Sequence, residues 1–312
     1  MFRLGGIPSK TDNLSDLADF IETKCLFSIN GSVSKISIQK VLSIESDEID
    51  FEGLTDEEDI IAFRLDEVFA EMQRRRVGCR GHYPFLVESS LVRIDPACGD
   101  AYKKIYTFLL LATRANMKKD RFFGNPQKDA TLLFEKFCEI IAKSYFGENS
   151  NTFLFGTSAG SKFSNKVVGL LRALNFQAQF RDPAGSNGKQ KDGKLDIAVW
   201  MPFADGRDSM IIGLGQCKTG SSWNGMLSQL QSGNFFRSYV TYQPIHTPLR
   251  LFFIADSISD VSESWEESAR AAGILFYRSR LMQFIPNNFS QALIGEMELW
   301  INYINDEYKL SL

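Results

Sequence analysis

In the stretch Gly213-Leu214-Gly215-Gln216-Cys217-Lys218, small and apolar residues lead into polar ones, which is typical of a buried strand that ends at the edge of a sheet. Successive side chains of a strand point to opposite faces. Gln216 and Lys218 therefore share one face of the predicted strand. Cys217 points to the other face, towards the core, where a nucleophilic role for its thiol is disfavoured.

A second strand is predicted just upstream, over residues 195–201, where Asp196 precedes an otherwise apolar run. The turn-rich segment 202–209 joins it to the strand that ends at Lys218. If the two strands pair as an antiparallel hairpin, the start of the first lies beside the end of the second. Asp196 is then expected next to Gln216 and Lys218, so that three polar groups converge at the rim of an apolar sheet.

Helices and strands alternate around this hairpin, which favours a mixed α/β fold built on a mixed sheet. The clearest helix is the amphipathic segment 130–146, which carries Glu135 at the edge of its apolar stripe. The further predictions are strands at 152–155, 177–180, 249–255 and 274–277, and helices at 162–174, 223–239, 262–272 and 290–308.

The N-terminal third is predicted to be a separate mixed α/β region. Its predicted elements are a strand pair at 34–46, a helix at 56–76, a strand at 83–94 and a helix at 100–117. Charged and turn residues at 118–126 are typical of a linker. We therefore predict two domains, residues 1–122 for target recognition, regulation or partner docking, and residues 123–312 for catalysis.

The polar groups at the rim suit phosphodiester hydrolysis. A hard cation such as Mg²⁺ prefers oxygen ligands, here the Asp196 carboxylate, the Gln216 amide oxygen and the Cys217 backbone carbonyl. Glu135 is a further candidate ligand from the upstream helix. Lys218 is placed to hold or help deprotonate an attacking water and to offset charge in the transition state. The predicted catalytic residues are therefore Asp196, Gln216, Lys218 and Glu135.

This arrangement resembles the PD-(D/E)XK superfamily, the nucleases with a restriction-endonuclease-like fold. The matching residues are Asp196, Gln216-Cys217-Lys218 and Glu135, and the resemblance covers roughly residues 128–277. It implies an αβββαβ core, dependence on Mg²⁺ or Mn²⁺, and cleavage of DNA or, less often, RNA. The family usually has an acidic residue at the position of Gln216. A glutamine there resembles the variant found in the Mrr-like bacterial defence nucleases. Because an amide binds metal more weakly than a carboxylate, Glu135 becomes more important as a ligand.

Contacts to the nucleic acid are expected from two neighbouring segments. The loop with Lys189, Lys191 and Lys194 flanks Asp196 directly. The segment Gly156–Lys162 is not a P-loop, because Ser161 rather than glycine precedes Lys162. A helix-capping turn is the favoured interpretation there, although exposed amides at Ser161 and Lys162 are also placed to touch a phosphate.

Composition excludes several other classes. The five cysteines are odd in number and scattered, and two histidines cannot build an HNH or HEXXH motif, so neither disulfides nor a zinc site is indicated. No apolar run reaches the roughly 20 residues of a membrane span. A net charge of −3 argues against coating nucleic acid by bulk electrostatics. We predict a cytoplasmic, prokaryotic endonuclease that does not bind membranes.

Three alternatives stay open. The chain is either an active nuclease or a subunit that keeps the nuclease fold as a scaffold inside a larger defence complex, since Gln216 weakens the ligand set. A third possibility is an enzyme that is silent until a partner or second messenger assembles it. The resemblance to defence nucleases implies an ATPase or helicase as a partner, and the oligomeric state, a homo-oligomer included, is left undecided.

Overall fold

The computed structural model of the chain describes residues 4–44, 54–115, 130–156, 162–182, 193–259 and 265–310. Within them, helices surround a three-stranded and a five-stranded sheet. The predicted mixed α/β class is therefore confirmed. No helix in this part of the chain is both long and apolar enough to cross a bilayer.

The five-stranded sheet carries the predicted hairpin. Its order is β4-β5-β6-β7-β8, where β4 to β6 are antiparallel to their neighbours and β6 to β8 run parallel. Pairing of Ile197 with Gly215 confirms the predicted antiparallel hairpin, in which the start of β5 lies beside the end of β6. The strands are β4 (Asn151–Leu154), β5 (Ile197–Trp200), β6 (Ile212–Lys218), β7 (Leu249–Ile254) and β8 (Ile274–Phe276).

Helices cover both faces of this sheet. Helix α5 (Ala130–Phe146) packs on β4, β5 and β6. Helices α6 (Phe163–Ala173) and α7 (Ser232–Tyr239) contribute to a second core on the opposite face, with the alternate side chains of β5 and β6. Helix α8 (Trp265–Ala272) lies against β7 and β8. Both faces of β5 and β6 are buried, which explains why these strands are almost entirely apolar until their polar ends.

The N-terminal region combines helices with a small antiparallel sheet of order β1-β3-β2. Its elements are α1 (Leu14–Phe27), β1 (Ser32–Ser34), α2 (Lys35–Ile44), α3 (Leu54–Gly78), β2 (Phe85–Val87), β3 (Leu91–Ile94) and α4 (Asp100–Arg114). Helices α9 (Arg278–Gln283) and α10 (Gln291–Tyr308) follow the large sheet, and α10 packs on both α4 and α5.

The largest hydrophobic core runs through both predicted domains. It contains Phe20 and Phe108 from the N-terminal region together with Phe137, Phe253 and Trp300 from the C-terminal one. The predicted boundary at 122/123 and the linker at 118–126 lie outside the described residues. The two predicted domains therefore pack against each other through one hydrophobic core.

A buried ionic cluster also joins the two regions. Asp19 on α1 is fully buried and accepts hydrogen bonds from Arg75 Nη1 at 2.7 Å, Arg114 Nε at 2.6 Å and Arg278 Nη1 at 2.8 Å. Burial alone raises the pKa of a carboxyl group, but the three guanidinium groups outweigh it, and the pKa of Asp19 is lowered. Glu22 lies beside Asp19 in the cluster and accepts hydrogen bonds from Arg75, Tyr83 and Tyr106.

Two of the expected elements are wrong. The segment predicted as a strand pair at 34–46 forms β1 and then helix α2, because Ile38 and Leu42, four residues apart, are the buried side chains while Ile36 is exposed. The helix predicted at 223–239 is a 3₁₀ turn at Asn224–Met226 followed by α7. Gly225 and Gly233 lower the helix propensity of that segment.

Two strand predictions also need correction. The single strand expected at 83–94 is the hairpin of β2 and β3, since Glu88, Ser89 and Ser90 form its turn and the Glu88 amide bonds to Leu91 O at 2.8 Å. The strand expected at 177–180 is reduced to one antiparallel bridge between Phe180 and Val240.

Candidate functional site

The predicted polar residues lie at one edge of the five-stranded sheet, where β4 ends, β5 begins and β6 ends. Leu154 pairs with Ile197, and Ile197 pairs with Gly215. The next residues along these three strands, Phe155, Asp196 and Gln216, are therefore neighbours. The prediction that Asp196 meets the end of β6 is confirmed.

The Asp196 backbone and side chain are both tied to neighbouring strands. Its carbonyl oxygen accepts hydrogen bonds from Phe155 N at 2.8 Å and Gly156 N at 3.1 Å, and its amide donates to Gly215 O at 2.9 Å. Its Oδ2 accepts a hydrogen bond from Cys217 N at 2.8 Å. The carboxylate is therefore held in a fixed position while the residue as a whole remains half-buried.

The Gln216 side chain is the most unusual group at this edge. It is only 1% exposed, and its Nε2 donates to Gln229 Oε1 at 3.3 Å. No described residue donates a hydrogen bond to its Oε1, which is itself buried. A buried acceptor without a donor destabilises a protein by about 1–3 kcal/mol. Such an oxygen is a natural ligand for a hard cation.

Glu135 reaches the same edge from helix α5. It is 3% exposed, and a methyl group added at Gly156 would lie 1.9 Å from its Oε2. Gly156 also donates its amide hydrogen to Asp196 O. The absent side chain of Gly156 therefore gives the Glu135 carboxylate its place beside the Gly156 backbone, which is bonded to the Asp196 carbonyl.

The Cys217 side chain points to the opposite face, as predicted, into the hydrophobic core that also contains Cys138 on α5. Burial, the Cys138 contact and the nearby Asp196 and Glu135 carboxylates raise the pKa of Cys217 well above its usual value. A thiol that stays protonated is a poor nucleophile. Its backbone carbonyl as a metal ligand stays a prediction.

Lys218 is half-buried at the end of β6, and strand alternation places it on the Gln216 face. Its carbonyl oxygen accepts a hydrogen bond from Ala255 N at 3.2 Å, which fixes the backbone at this point. Its ammonium group makes no ion pair or hydrogen bond with the residues that the structure describes. A cation at the rim without such a partner is available to a phosphate.

Of the predicted nucleic-acid contacts, Lys194 and Lys162 are described and both are exposed. Lys194 has a positive φ of 61° and lines a small cavity of about 200 Å³ that also contains Gln229. Lys162 occupies the N-cap position of α6 without capping it through its side chain. Lys189, Lys191 and Ser161 lie outside the described residues.

Lys166 is a site residue that sequence reasoning missed. It lies one turn beyond Lys162 on α6, and its ammonium group donates a hydrogen bond to Gly156 O, next to Glu135 and Asp196. The four-residue spacing of Lys162 and Lys166 was the available signal, because residues so spaced share one side of a helix. Gln229 was visible only as a glutamine near the site, and its contact with Gln216 required the three-dimensional fold.

The donor set fits a hard cation better than a soft one. A cluster of three or more His, Cys, Asp or Glu side chains suited to a metal is not present among the described residues. The predicted ligand set is not a cluster of that kind, because only two of its members, Asp196 and Glu135, are carboxylates and the third, Gln216, is an amide. Oxygen donors alone favour Mg²⁺ or Mn²⁺ over zinc, which prefers nitrogen and sulfur ligands.

Comparison of the chain with protein-family models, with curated proteins and with solved structures finds no match.

Proposed function

We propose that the chain is a metal-dependent nuclease that hydrolyses phosphodiester bonds of DNA. The observation that carries this proposal is the buried Gln216 Oε1, an acceptor without a described donor, on the strand next to the fixed Asp196 carboxylate. Lys218 follows two residues later on the same face, so a cation ligand set and a basic group lie together at one rim.

The order of the elements supports the same proposal. Helix α5, strands β4, β5 and β6, helix α7 and strand β7 follow one another along the chain, with α6 inserted between β4 and β5. Without that insertion the order is the αβββαβ order of a restriction-endonuclease-like core. From the resemblance to Mrr-like enzymes we further propose an endonuclease of a bacterial anti-phage system, acting in the cytoplasm with an ATPase or helicase partner.

Mg²⁺ or Mn²⁺ is the cofactor that fits these residues. Asp196, Glu135 and Gln216 would hold it, with the Cys217 carbonyl as a further candidate. When bound, a divalent cation polarises the phosphate and makes water a stronger nucleophile at neutral pH. These ligands come from α5, β5 and β6, so correct folding of the sheet edge is what assembles them.

The side chains of the chain have separate tasks in this proposal. Lys218 donates hydrogen bonds to the scissile phosphate or to the attacking water and offsets the negative charge of the transition state. Cys217 N holds the Asp196 carboxylate in orientation. Gln229 holds the donor end of the Gln216 amide, which directs the oxygen end to the rim. The exposed Lys194 and Lys162 bind further phosphates of the substrate.

The direct test is cleavage by the purified full chain. Plasmid, linear duplex, single-stranded DNA and RNA are incubated with Mg²⁺, Mn²⁺ or EDTA, and the products are resolved on gels. We expect metal-dependent cleavage of DNA that EDTA prevents. Binding of Mn²⁺ is measured separately by calorimetry, so that a silent enzyme with an intact metal site is recognised.

Failure to bind Mn²⁺ and failure to cleave any substrate would together contradict the proposal and favour a scaffold with the nuclease fold. Mn²⁺ binding without cleavage would instead point to an enzyme that needs a partner or second messenger.

Gly156→Ala tests the place of Glu135. The added methyl group overlaps Glu135 Oε2 and must displace the carboxylate, because the glycine backbone itself is fixed by Asp196 O. We expect Mn²⁺ affinity to fall by about tenfold or more, as for other losses around a metal ligand. Gly220→Ala is the matched control, since a methyl group there meets nothing within 4 Å. Equal Mn²⁺ affinity of Gly156→Ala and the wild type would remove Glu135 from the ligand set.

Gln229→Leu tests the orientation of Gln216. Without the Gln229 carbonyl, the Gln216 amide is no longer held with its oxygen towards the rim. We expect a loss of Mn²⁺ affinity of about tenfold. Gln177→Leu, at an exposed glutamine beyond the far end of α6, is the control and should bind as the wild type does. Unchanged affinity in Gln229→Leu would show that Gln216 is oriented by other groups.

A further inference from the structure

A second cavity, of about 420 Å³, lies between the start of α1 and the carboxyl ends of β6 and β7. Its walls include Asp16 on α1, Arg114 on α4, Trp223 after β6, Asp256 and Ser257 after β7, and Trp265 on α8. A crevice outside the carboxyl ends of parallel strands is a frequent ligand site in α/β proteins. Its size falls in the range of small-molecule pockets.

The walls carry more negative than positive charge. Among the described residues that line the cavity, three carry carboxylates, Asp12, Asp16 and Asp256, and one, Arg114, carries a guanidinium group. Arg114 is already engaged, because it pairs with Asp16 and with Asp19 behind the wall and lies 3.6 Å from Asp256 Oδ1. An anionic ligand such as a phosphate is therefore disfavoured here.

Arg74 is another cation near this wall, besides Arg280, which lies against Trp265. Its guanidinium donates to the carbonyl of Ile258, a lining residue, but also pairs with Glu71 through Nε at 2.8 Å. The Glu71 carboxylate balances the positive charge of Arg74. The cavity therefore still has more carboxylates than cations.

Asp16 is the most deeply buried of the acidic residues that line the cavity. Asp16, 4% exposed, pairs with Arg114 through Oδ1, and no described residue donates to its Oδ2. Burial and the nearby Asp19 and Asp256 carboxylates raise the pKa of Asp16 against the effect of Arg114. A further positive group near Asp16 would relieve this crowding.

Ser257 is an independent sign of a missing partner. The residue lines the cavity and is 5% exposed, and its hydroxyl oxygen has no hydrogen-bond partner among the described residues. Its backbone is fixed, since its carbonyl accepts from Ser15 Oγ at 3.2 Å and its amide donates to Asp256 Oδ1 at 2.9 Å. A buried hydroxyl group without a partner is uncommon unless a ligand or water completes it.

Two indole rings complete the walls. Trp223 donates its Nε1 hydrogen to Asp256 Oδ2 at 2.9 Å, so that ring and carboxylate form one fixed unit. Trp265 is held by Arg280, whose guanidinium carbon lies 4.9 Å from a ring centroid of the indole. Aromatic faces next to carboxylates form the combination that attracts organic cations.

We propose that this cavity binds a small organic cation that carries an ammonium or guanidinium group. The charged group pairs with Asp16 and Asp256, Ser257 Oγ accepts a hydrogen bond from it, and the carbon body packs against Trp223 and Trp265. None of the residues that line this cavity is a proposed metal ligand, although both sites lie at the carboxyl end of β6, and binding of the cation does not require nuclease activity.

Calorimetry and ligand-induced shifts of the melting temperature test the proposal on the full chain. Putrescine and agmatine are the probes, with 1,4-butanediol and succinate as uncharged and anionic analogues of putrescine. N-acetyl-arginine methylamide represents an arginine side chain of a partner protein. We expect binding of putrescine or agmatine and not of the two analogues. Stronger binding of the blocked arginine would identify a protein side chain as the source of the cation.

Variants locate the binding. Asp256→Asn is expected to weaken it by about tenfold or more, because a charge-assisted hydrogen bond is lost. Trp265→Leu is expected to weaken it too, and serves alone if Asp256→Asn does not fold. Asp196→Asn, at the proposed metal site, should bind as the wild type does. The proposal is overturned if neither cation binds below about 10 mM, if 1,4-butanediol binds equally well, or if only Asp196→Asn removes binding.

Discussion

Asp196→Asn is expected to eliminate metal-dependent cleavage of DNA while the chain stays folded. The amide oxygen of asparagine still accepts the hydrogen bond from Cys217 N, and the backbone bonds to Phe155, Gly156 and Gly215 are unaffected. What disappears is the negative charge that a hard cation needs. We expect the cleavage rate to fall by about 10²-fold or more, the usual loss for one electrostatic group of an active site.

Lys218→Met should lower the cleavage rate by a similar factor, but through loss of a basic group and not of a metal ligand. Methionine keeps the apolar stem of the half-buried side chain but removes the ammonium group that we propose to contact the phosphate. Mn²⁺ binding should persist in Lys218→Met and be lost in Asp196→Asn, which separates the basic group from the metal ligand. Lys40→Met, at an exposed lysine of α2, is the control for removal of a positive charge.

Cleavage rates and melting temperatures of the three variants test whether the edge of the sheet is the active site. If Asp196→Asn and Lys218→Met both cleave as fast as Lys40→Met, the edge of the sheet is not the active site. If all three variants have the melting temperature of the wild type and only Asp196→Asn and Lys218→Met are inactive, the loss of cleavage results from loss of a catalytic group and not from unfolding.

The hairpin of β5 and β6 was predictable from sequence because both strands are buried on both faces. Continuous apolar runs, a turn-rich connection and polar residues confined to one end leave one register in which Asp196 meets Gln216. The site residues on these two strands followed from local pattern alone.

The remaining contacts at the site depend on tertiary structure. Nothing in the sequence shows that the Glu135 carboxylate occupies the space that a side chain at position 156 would fill. The hydrogen bond from Lys166 to Gly156 O likewise depends on how α6 packs. Helix α2 was misjudged for a related reason. Ile36 and Ile38 alternate as in a strand, but the position of α3 decides that Ile38 and Leu42 are the buried pair.

Asp19→Asn is expected to have the largest effect on stability. Asp19 is fully buried and hydrogen-bonded to three arginines that come from α3, α4 and α9. Removal of its charge leaves those guanidinium groups buried with less compensation, and loss of one partner from a buried ion pair typically destabilises a protein by about 3–5 kcal/mol. Urea denaturation followed by circular dichroism measures the free energy of unfolding.

Arg278→Met should be less damaging than Asp19→Asn, because Arg75 and Arg114 still balance Asp19 when Arg278 is gone. The double variant should be more stable than the sum of the two single losses predicts, since the interaction between the residues is then counted only once. Glu266→Gln, which removes an ion pair with Arg270 whose side chains are both 82% exposed, is the control and should change stability little.

The ionic cluster also predicts how the two regions unfold. Asp19 and Arg278 are 259 residues apart in the chain and lie on opposite sides of the predicted domain boundary. Because this contact and the shared hydrophobic core cross the boundary, the wild type should unfold in a single transition. Asp19→Asn should lower the midpoint of that transition for both regions together. Two separate transitions in the wild type, or an Asp19→Asn variant as stable as Glu266→Gln, would show that the cluster does not hold the regions together.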